Sequence, residues 1–190
     1  MKKSMGARTL LAAVPVLIVG SYDDQLQPNL MACAWGGICC SEPPCVNISI
    51  RKGRHSYHNI ISQKAFTINI LFSEQIREAD FYGIASGRDY NKFSMSGITP
   101  VKSDVVNAPY GKEFPMILEC KLLHQLDIGV HTEFVGEILD VKVEDNLVDR
   151  NGNIVASKLD PILYIPEIRE YYALGKYLGK GYSLGKKYIK

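Results

Sequence analysis

Two short segments alternate apolar and polar side chains with a period of two residues. The first is Val46-Asn47-Ile48-Ser49-Ile50, and the second is Phe66-Thr67-Ile68-Asn69-Ile70-Leu71. A period of two places the apolar side chains on one face of an extended chain. The first segment is therefore predicted to be a half-buried β-strand, and the second is predicted to be another strand.

Other segments extend this strand pattern on both sides. Residues 14–20 form a short β-branched run that predicts a buried strand. Residues 29–34 resume the apolar sequence after an acidic turn and are the expected hairpin partner. Residues 117–126 and 134–143 are the long strand candidates.

Helices are few in the predicted fold. Residues 56–63 follow a glycine turn and fit a short helix with Ser56 as its N-cap. Residues 74–85 fit a second, weakly amphipathic helix, which Gly87 is expected to end as its C-cap. The stretch that follows is expected to be loop-rich. Many strands with few helices favour a mainly β fold, a barrel or a sandwich, over a doubly wound sheet.

Length and composition fit one domain with an appendage. The chain has 190 residues, of which 46% are hydrophobic, and this is enough to build a core. We expect residues 1–160 to form the barrel and residues 161–190 to form an extension rich in Tyr, Gly and Lys.

Charge and hydropathy disfavour several broad classes. The net charge is +2, so no global field points to nucleic acid or to a membrane. A barrel that binds nucleic acid through the Lys-rich tail is an alternative, but the basic groups are dispersed.

The apolar run at residues 10–20 follows Lys2 and Lys3, as in a signal peptide. Pro15 interrupts it, however, no small-x-small cleavage site follows, and it is too short to span a bilayer. We therefore expect a soluble cytoplasmic protein.

The cysteines are odd in number and crowd one region. Cys33, Cys39, Cys40 and Cys45 lie close together in the sequence, and Cys120 stands apart. No C-x-x-C pair occurs, which argues against zinc or an iron–sulfur cluster. Reduced, mostly buried thiols without a bound metal are the expectation.

The stretch Ile50-Arg51-Lys52-Gly53-Arg54-His55-Ser56 is the strongest candidate for ligand chemistry. A strand is expected to end here and a helix to begin. Helix starts carry free backbone N–H groups and the positive end of the dipole, which suit phosphate. Basic side chains and a hydroxyl crowd the same place. A solvated basic turn explains these residues equally well.

Two further stretches support a bound ligand. Ser86-Gly87-Arg88-Asp89-Tyr90-Asn91-Lys92-Phe93 again offers hydroxyl, glycine and basic groups beside a helix end. Asn29-Leu30-Met31-Ala32-Cys33-Ala34-Trp35-Gly36-Gly37 places small residues around the only tryptophan, where backbone could approach a flat aromatic ligand. A core strand with a buried tryptophan fits the second stretch as well. Two basic, hydroxyl-bearing stretches in one small domain favour a phosphorylated ligand.

Several common site motifs do not occur. No G-x-G-x-x-G follows a strand, and no G-x-S-x-G or H-E-x-x-H is present. The glycines near Lys186 have the wrong spacing for a Walker loop. His131 is an isolated histidine at a strand edge, a position that is more often structural than catalytic. The sequence therefore shows no catalytic constellation.

Taken in order, the three stretches resemble the flavin reductase-like FMN-binding family, and within it the flavoredoxins. The resemblance covers most of the chain. It runs through Pro28-Asn29-Leu30-Met31, Trp35, Arg54-His55-Ser56, Ser86-Gly87-Arg88, Lys92-Phe93, and Gly129-x-His131 followed by Phe134-Val135-Gly136-Glu137.

The resemblance implies a Greek-key split β-barrel that forms a homodimer and binds FMN near the subunit interface. The C-terminal extension would then pack on the barrel or on the dimer partner. The resemblance implies that one group of residues lines the flavin ring, largely through backbone groups: Asn29, Leu30, Met31, Ala32, Cys33 and Trp35. Ser49, Ile50 and Arg51 would flank the ring. The phosphate side consists of His55, Ser56, Arg88 and Lys92, in a loop shaped by Ser86 and Gly87. His131 matches the position near the nicotinamide side in flavin reductases.

Two functions follow from the resemblance. The first is an FMN-binding electron carrier of the flavoredoxin type, whose redox partner the sequence does not name. The second is an NAD(P)H-dependent flavin reductase, for which His131 leaves room. Neither function requires a protein acid or base for electron transfer itself, because the flavin supplies that chemistry.

Overall fold

The fold is dominated by antiparallel strands. The computed structural model describes residues 1–189. Their strands are β1 (Val14–Pro15), β2 (Leu17–Tyr22), β3 (Pro28–Cys33), β4 (Gly36–Ser41), β5 (Pro44–Arg51), β6 (Ala65–Ile70), β7 (Pro100–Lys102), β8 (Pro109–Gly111), β9 (Met116–Ile128), β10 (His131–Val143), β11 (Leu163–Ile165) and β12 (Glu170–Tyr172). Their α-helices are α1 (His55–Gln63), α2 (Ile76–Ile84) and α3 (Lys92–Ser96).

Seven strands form one antiparallel sheet in the order β3-β2-β6-β9-β10-β5-β4. Within the described residues, no strand ladder joins β3 back to β5, so the sheet curls without closing. The Cys33 thiol at the end of β3 donates a weak hydrogen bond to the Ser49 carbonyl on β5, with an S···O distance of 3.7 Å. The sheet is therefore a barrel with an open seam, and β3 and β5 form the two sides of that seam.

The strands with clear alternation were predicted correctly. The two period-two segments are β5 and β6, and β2 pairs with β3 as a hairpin from Leu17↔Cys33 to Tyr22↔Pro28. Strands β9 and β10 are longer than predicted because they continue to a tight turn at Gly129, whose φ is +53°. The strand ends near this turn carry exposed apolar side chains. The sequence there lacks the alternation of apolar and polar residues that marks a strand with one buried face.

The first predicted strand is divided at Val16. Residues 14–20 were predicted as one strand, but β1 and β2 lie in different sheets, and β1 pairs with β11 near the C-terminus. The prediction also missed β4, which forms a hairpin with β5. Most of β4 is exposed, which removes the apolar pattern that marks a buried strand.

Two predicted helix caps were wrong. Helix α1 begins at His55 with Arg54 at the N-cap, so Ser56 lies inside the first turn, where its side chain is buried. Helix α2 ends at Ile84, and its C-cap is Ala85 in an extended conformation rather than Gly87. The supposed loop beyond it contains α3, β7 and β8.

Two clusters of buried side chains support the sheet. One contains Phe66 and Phe134 inside the barrel, and the other contains Leu30 and Tyr82 between β3 and α2. Each large apolar side chain buried in this way contributes about 1.5–3 kcal/mol relative to exposure. The second cluster fixes α2 and α3 against β3 and so positions the segment that joins these two helices.

The C-terminal extension divides into a packed part and an exposed part. The rings of Tyr164 and Tyr171 lie 5.1 Å apart and pack against the second cluster. The Tyr171 hydroxyl donates to Asp80 on α2. Tyr177 and Tyr182 are fully exposed. None of the helices in residues 1–189 is long and apolar enough to cross a membrane.

Candidate functional site

Two adjoining clefts lie beside β3. The first, of about 250 Å³, opens at the barrel seam. It is lined by Val16, Met31, Ala32, Cys33, Ala34, Trp35, Ser49, Ile50, Arg51, Arg54, Gly83, His131, Tyr164 and Tyr171. The second, of about 240 Å³, lies at the start of α1. It is lined by Asn29, Met31, Gly53, Arg54, His55, Ser56, Ala85, Ser86, Gly87, Arg88 and Lys92.

The clefts form one site because Met31 and Arg54 line both of them. Their combined size falls in the range of small-molecule sites, which is roughly 300–1,000 Å³. One end of this site is mainly apolar and open, and the other is strongly basic. The arrangement suits an elongated ligand with a flat ring system and an anionic end.

The structure brings the predicted residues together in two groups. The first cleft contains those predicted to lie at the ring: Met31, Ala32, Cys33, Trp35, Ser49, Ile50, Arg51 and His131. The second contains Asn29 and those predicted at the phosphate: His55, Ser56, Ser86, Gly87, Arg88 and Lys92. Their part in binding stays a prediction, but their grouping agrees with it.

Leu30 does not line either cleft. Its side chain is 0% exposed and belongs to the cluster between β3 and α2. Successive side chains of a strand point to opposite faces, so Leu30 points away when Asn29 and Met31 face the site. Only its backbone remains available to a ligand.

Several residues that line the site were not among the predicted ones. Arg54 is the most important of them because it lines both clefts. Its place in the basic stretch before α1 was a usable signal. Gly83 and Tyr171 reach the first cleft only through the packing of α2 and of the C-terminal extension, and no local sequence pattern indicates this.

Lys92 gives the second cleft its buried positive charge. The residue is 2% exposed, and its ammonium donates to the Tyr82 carbonyl at 3.1 Å. No carboxylate of the described residues lies within 4.0 Å of it. Burial and the nearby Arg54 charge lower the pKa of Lys92 to about 8. An ammonium has three donors, so this group can still donate to an anion.

Two arginines connect the walls of the second cleft. Arg88 donates to the Gly53 carbonyl at 2.9 Å, and Arg54 donates to the Gly83 carbonyl at 3.3 Å. Each guanidinium keeps further donors because it has five in all. Burial lowers the pKa of His55, and the positive charges of Arg88 and Lys92 add to the effect. No Asp or Glu lines this cleft, so its positive charges are not neutralised locally.

The first turn of α1 adds backbone donors to the same cleft. The helix has nine residues, its N-cap has no side-chain hydrogen bond, and its first turn has no acidic residue. Such a terminus carries a partial positive charge and unsatisfied N–H groups. Together with the basic side chains, it makes this cleft suited to a phosphate.

The first cleft has a largely uncharged wall. Trp35 packs against the barrel core, and the Trp35 carbonyl accepts from the Ser49 amide at 2.7 Å across the seam. Burial raises the pKa of Cys33 to about 11, so its thiol is neutral near pH 7. His131 pairs with Arg51 in the β10–β5 ladder. Burial and the Arg51 charge lower the pKa of His131, which favours the neutral imidazole.

Comparison with known proteins decides the family. The flavin reductase like domain model matches residues 10–173, which is most of the chain. The chain belongs to the flavin reductase-like family. The expected mainly β fold, a split barrel with few helices, is therefore confirmed, as is the family resemblance in the sequence.

Members of this family with known structures align along nearly the whole chain. Flavoredoxin of Desulfovibrio vulgaris (Miyazaki F) is 48% identical, with a TM-score of 0.93 over 97% of this chain and 100% of that one. A split-barrel protein of Shewanella frigidimarina NCIMB 400 is 25% identical, with a TM-score of 0.80 over 90% of this chain and 87% of its own. A protein of Aquifex aeolicus (strain VF5) is 30% identical over 140 residues, or 70% of this chain and 71% of its own.

Proposed function

We propose that this chain binds FMN non-covalently and carries electrons on it, as a flavoredoxin does. The observation that carries the proposal is the buried ammonium of Lys92 in a carboxylate-free basic cleft. This cleft continues into a second one with an apolar wall at Trp35. The 48% identity to a flavoredoxin over nearly the full length supports the same function.

The residues of the basic cleft fit the terminal phosphate of FMN. Lys92, Arg54 and Arg88 supply charged donors, and the first turn of α1 supplies backbone N–H groups. The cost of burying Lys92 is offset when an anion accepts its hydrogen bonds. An added Cβ on Gly87 would meet the Asn29 side-chain oxygen at 2.1 Å, so the cradle has no room for a larger residue there.

The residues of the seam fit the ring of the flavin. Small side chains at Ala32 in β3 and at Ala34 just after it leave room beside the backbone, and Trp35 lines the same cleft. A bound flavin supplies the redox chemistry, while the protein anchors it, orients it and limits access of water. The neutral Cys33 and His131 add no fixed charge to this wall near pH 7.

Comparison of two flavins tests the assignment directly. FMN and riboflavin share the ring and differ in the phosphate. If the basic cleft holds the phosphate, the apoprotein binds FMN at least about tenfold more tightly than riboflavin, which corresponds to about 1.4 kcal/mol. Equal affinities would show that the phosphate contributes nothing and that the basic cleft serves another ligand.

A second candidate function is that of an NAD(P)H-dependent flavin reductase. His131 favours it, because this neutral imidazole lies in the wall of the open first cleft. Steady-state oxidation of NADH and NADPH with added FMN separates the two functions. A carrier shows little turnover. A reductase shows rapid turnover that a His131→Ala substitution lowers while FMN affinity stays unchanged.

We further propose a homodimer in the cytoplasm, with residues 161–190 as an extension of the 1–160 barrel. Exposed apolar side chains at Leu126, Ile128 and Val130 form a patch at the β9–β10 turn. Such patches are typical of interfaces, and so are tyrosines such as those exposed in the extension. The five free thiols agree with a reducing compartment.

Sedimentation tests the dimer and the role of the extension. Truncation at Pro161 would also remove Tyr164 and Tyr171, which line the first cleft. A chain ending at Ala173 keeps both tyrosines and is the better variant. We expect the full chain to be a dimer and the shortened chain to dissociate more readily. A full-length monomer that retains FMN would overturn the dimer.

A further inference from the structure

Three cysteines lie at the tip of the β4–β5 hairpin, away from the residues that line the candidate flavin site. The hairpin pairs Cys40 on β4 directly with Cys45 on β5. Cys39 lies between Ile38 and Cys40, where the register shifts by one residue. Cys39 and Cys40 are exposed, whereas Cys45 is buried.

The backbone spacing of this pair fits a disulfide. Directly opposed residues of an antiparallel pair have Cα atoms about 4.5 or 5.5 Å apart, depending on the type of pair. Both values lie within the range of roughly 4.4–6.8 Å that disulfides span. Cys39, at the irregular position, has no opposed partner in the register. The geometry therefore selects Cys40 and Cys45 over the other combinations.

We propose that Cys40 and Cys45 form a reversible thiol–disulfide site that reacts with small disulfides such as glutathione disulfide. The exposed Cys40 is the residue that a small disulfide can reach. The buried Cys45 is the residue that completes the reaction from within the hairpin. This site is independent of the flavin and of the proposed function.

The reaction balances without a further oxidant. The Cys40 thiolate attacks one sulfur of glutathione disulfide, forms a mixed disulfide and releases one glutathione thiolate. Cys45 then loses its proton and attacks the Cys40 sulfur, which breaks the mixed bond and releases the second glutathione. The two protein sulfurs are oxidised to one S–S bond, and glutathione disulfide is reduced to two thiols.

The surroundings of Cys45 slow the second step of the reaction at neutral pH. Burial raises the pKa of its thiol, and the Cys40 and Cys39 thiols and the Glu137 carboxylate raise it further. Glu137 is the residue opposite Cys45 on β10. A raised pKa leaves little thiolate at neutral pH, so Cys45 attacks the mixed disulfide more slowly than an unperturbed thiol would.

The oxidised pair would covalently fix an edge strand. Strand β4 is the last strand of the seven-stranded sheet, and it is paired on one side only, with β5. The other end of β5 supplies Ser49, Ile50 and Arg51 to the first cleft. A bond at the hairpin tip therefore restrains the strand pair that carries one side of the barrel seam.

The test treats the full-length protein with glutathione disulfide and maps its thiols by mass spectrometry under non-reducing conditions. The variants are Cys40→Ser, Cys45→Ser and, as the matched control, Cys39→Ser. We expect the unchanged protein and Cys39→Ser to form a Cys40–Cys45 bond that dithiothreitol reverses. We expect the Cys45→Ser variant to stop at the mixed disulfide between glutathione and Cys40. The Cys40→Ser variant should form no internal bond.

Three outcomes would overturn the proposal. One is a stable glutathione adduct on Cys40 of the unchanged protein, because it would show that Cys45 cannot complete the reaction. Another is a bond that involves Cys39. The third is the absence of any reaction at the hairpin while a control thiol peptide is oxidised under the same conditions.

Discussion

The side-chain amide of Asn29 donates a hydrogen bond to the Ser56 hydroxyl oxygen, with an N···O distance of 2.9 Å, and both side chains are buried. This bond joins the start of β3 to the first turn of α1, and both residues line the second cleft. Because the Ser56 oxygen is the acceptor, its own O–H can donate to a ligand, and no residue within 1–189 accepts a hydrogen bond from it. The bond therefore connects two walls of the second cleft.

Substitution of Ser56→Ala should weaken both FMN binding and the fold. The Asn29 amide would lose its acceptor, and an unsatisfied buried donor costs about 1–3 kcal/mol. We expect the fold to be retained with a free energy of unfolding lowered by that amount, and FMN affinity to fall. Denaturant unfolding and FMN titration measure the two effects. Ser62→Ala is the control, since Ser62 lies on the same helix but is bonded to the exposed Asp24.

Substitution of Lys92→Met should lower FMN affinity by about ten- to a hundredfold. A charged hydrogen bond to phosphate contributes about 1.5–3 kcal/mol, and methionine keeps the length and apolar stem of the side chain. Lys52→Met is the matched control, because Lys52 belongs to the same basic region but is exposed and bonded to Asp127. FMN titrations that give the same affinity for both variants would place the phosphate elsewhere.

FMN affinity should fall as the pH rises above about 8. The pKa of Lys92 in the free protein is lowered to about 8, so below this pH the ammonium is already charged when FMN arrives. Above it, binding must take up a proton, because a bound anion favours the charged form. The affinity then decreases by up to about tenfold per pH unit. Titrations between about pH 7 and pH 9 measure the slope, and Lys92→Met should abolish it.

Substitution of Gly87→Ala should disrupt the second cleft through steric contact. The new Cβ would meet the Asn29 side-chain oxygen at 2.1 Å and the His55 ring at 2.8 Å. We expect FMN affinity to drop by more than about tenfold, with a loss of about 1–3 kcal/mol in stability from overpacking. Gly53→Ala is the control in the same cleft, since nothing lies within 4 Å of its new Cβ. Equal effects of the two substitutions would contradict the close packing at Gly87.

The sequence predicted best where local pattern and tertiary structure agree. Strand β5 shows a period of two because one of its faces is buried. Strand β6 alternates apolar and polar residues although its polar residues Thr67 and Asn69 are buried as well. The exposed β4 shows no such pattern, and only Val16 separates β1 from β2, which lie in different sheets. Ser56 was predicted as an N-cap from its residue type, but tertiary packing buries it against Asn29 and leaves Arg54 at the cap.

The two ends of the candidate site also differed in how far the sequence predicted them. The phosphate side could be predicted because its basic and hydroxyl residues lie in two short stretches of sequence. The seam brings Met31, Arg51, His131 and Tyr171 together from segments far apart in the chain. Only the family resemblance indicated some of these contacts. The contact with Tyr171 depends on how the C-terminal extension folds back on α2, which no local pattern specifies.

The most direct test of the account is the identity of the cofactor released from the protein. The purified protein, reconstituted with a mixture of FMN and FAD if it is colourless, is desalted and denatured with acid, and the released flavin is separated by chromatography. The account predicts FMN, at about one per chain, because Lys92 and Arg88 give the second cleft basic side chains that suit a terminal phosphate. Release of FAD, or no retained flavin after reconstitution, would contradict it.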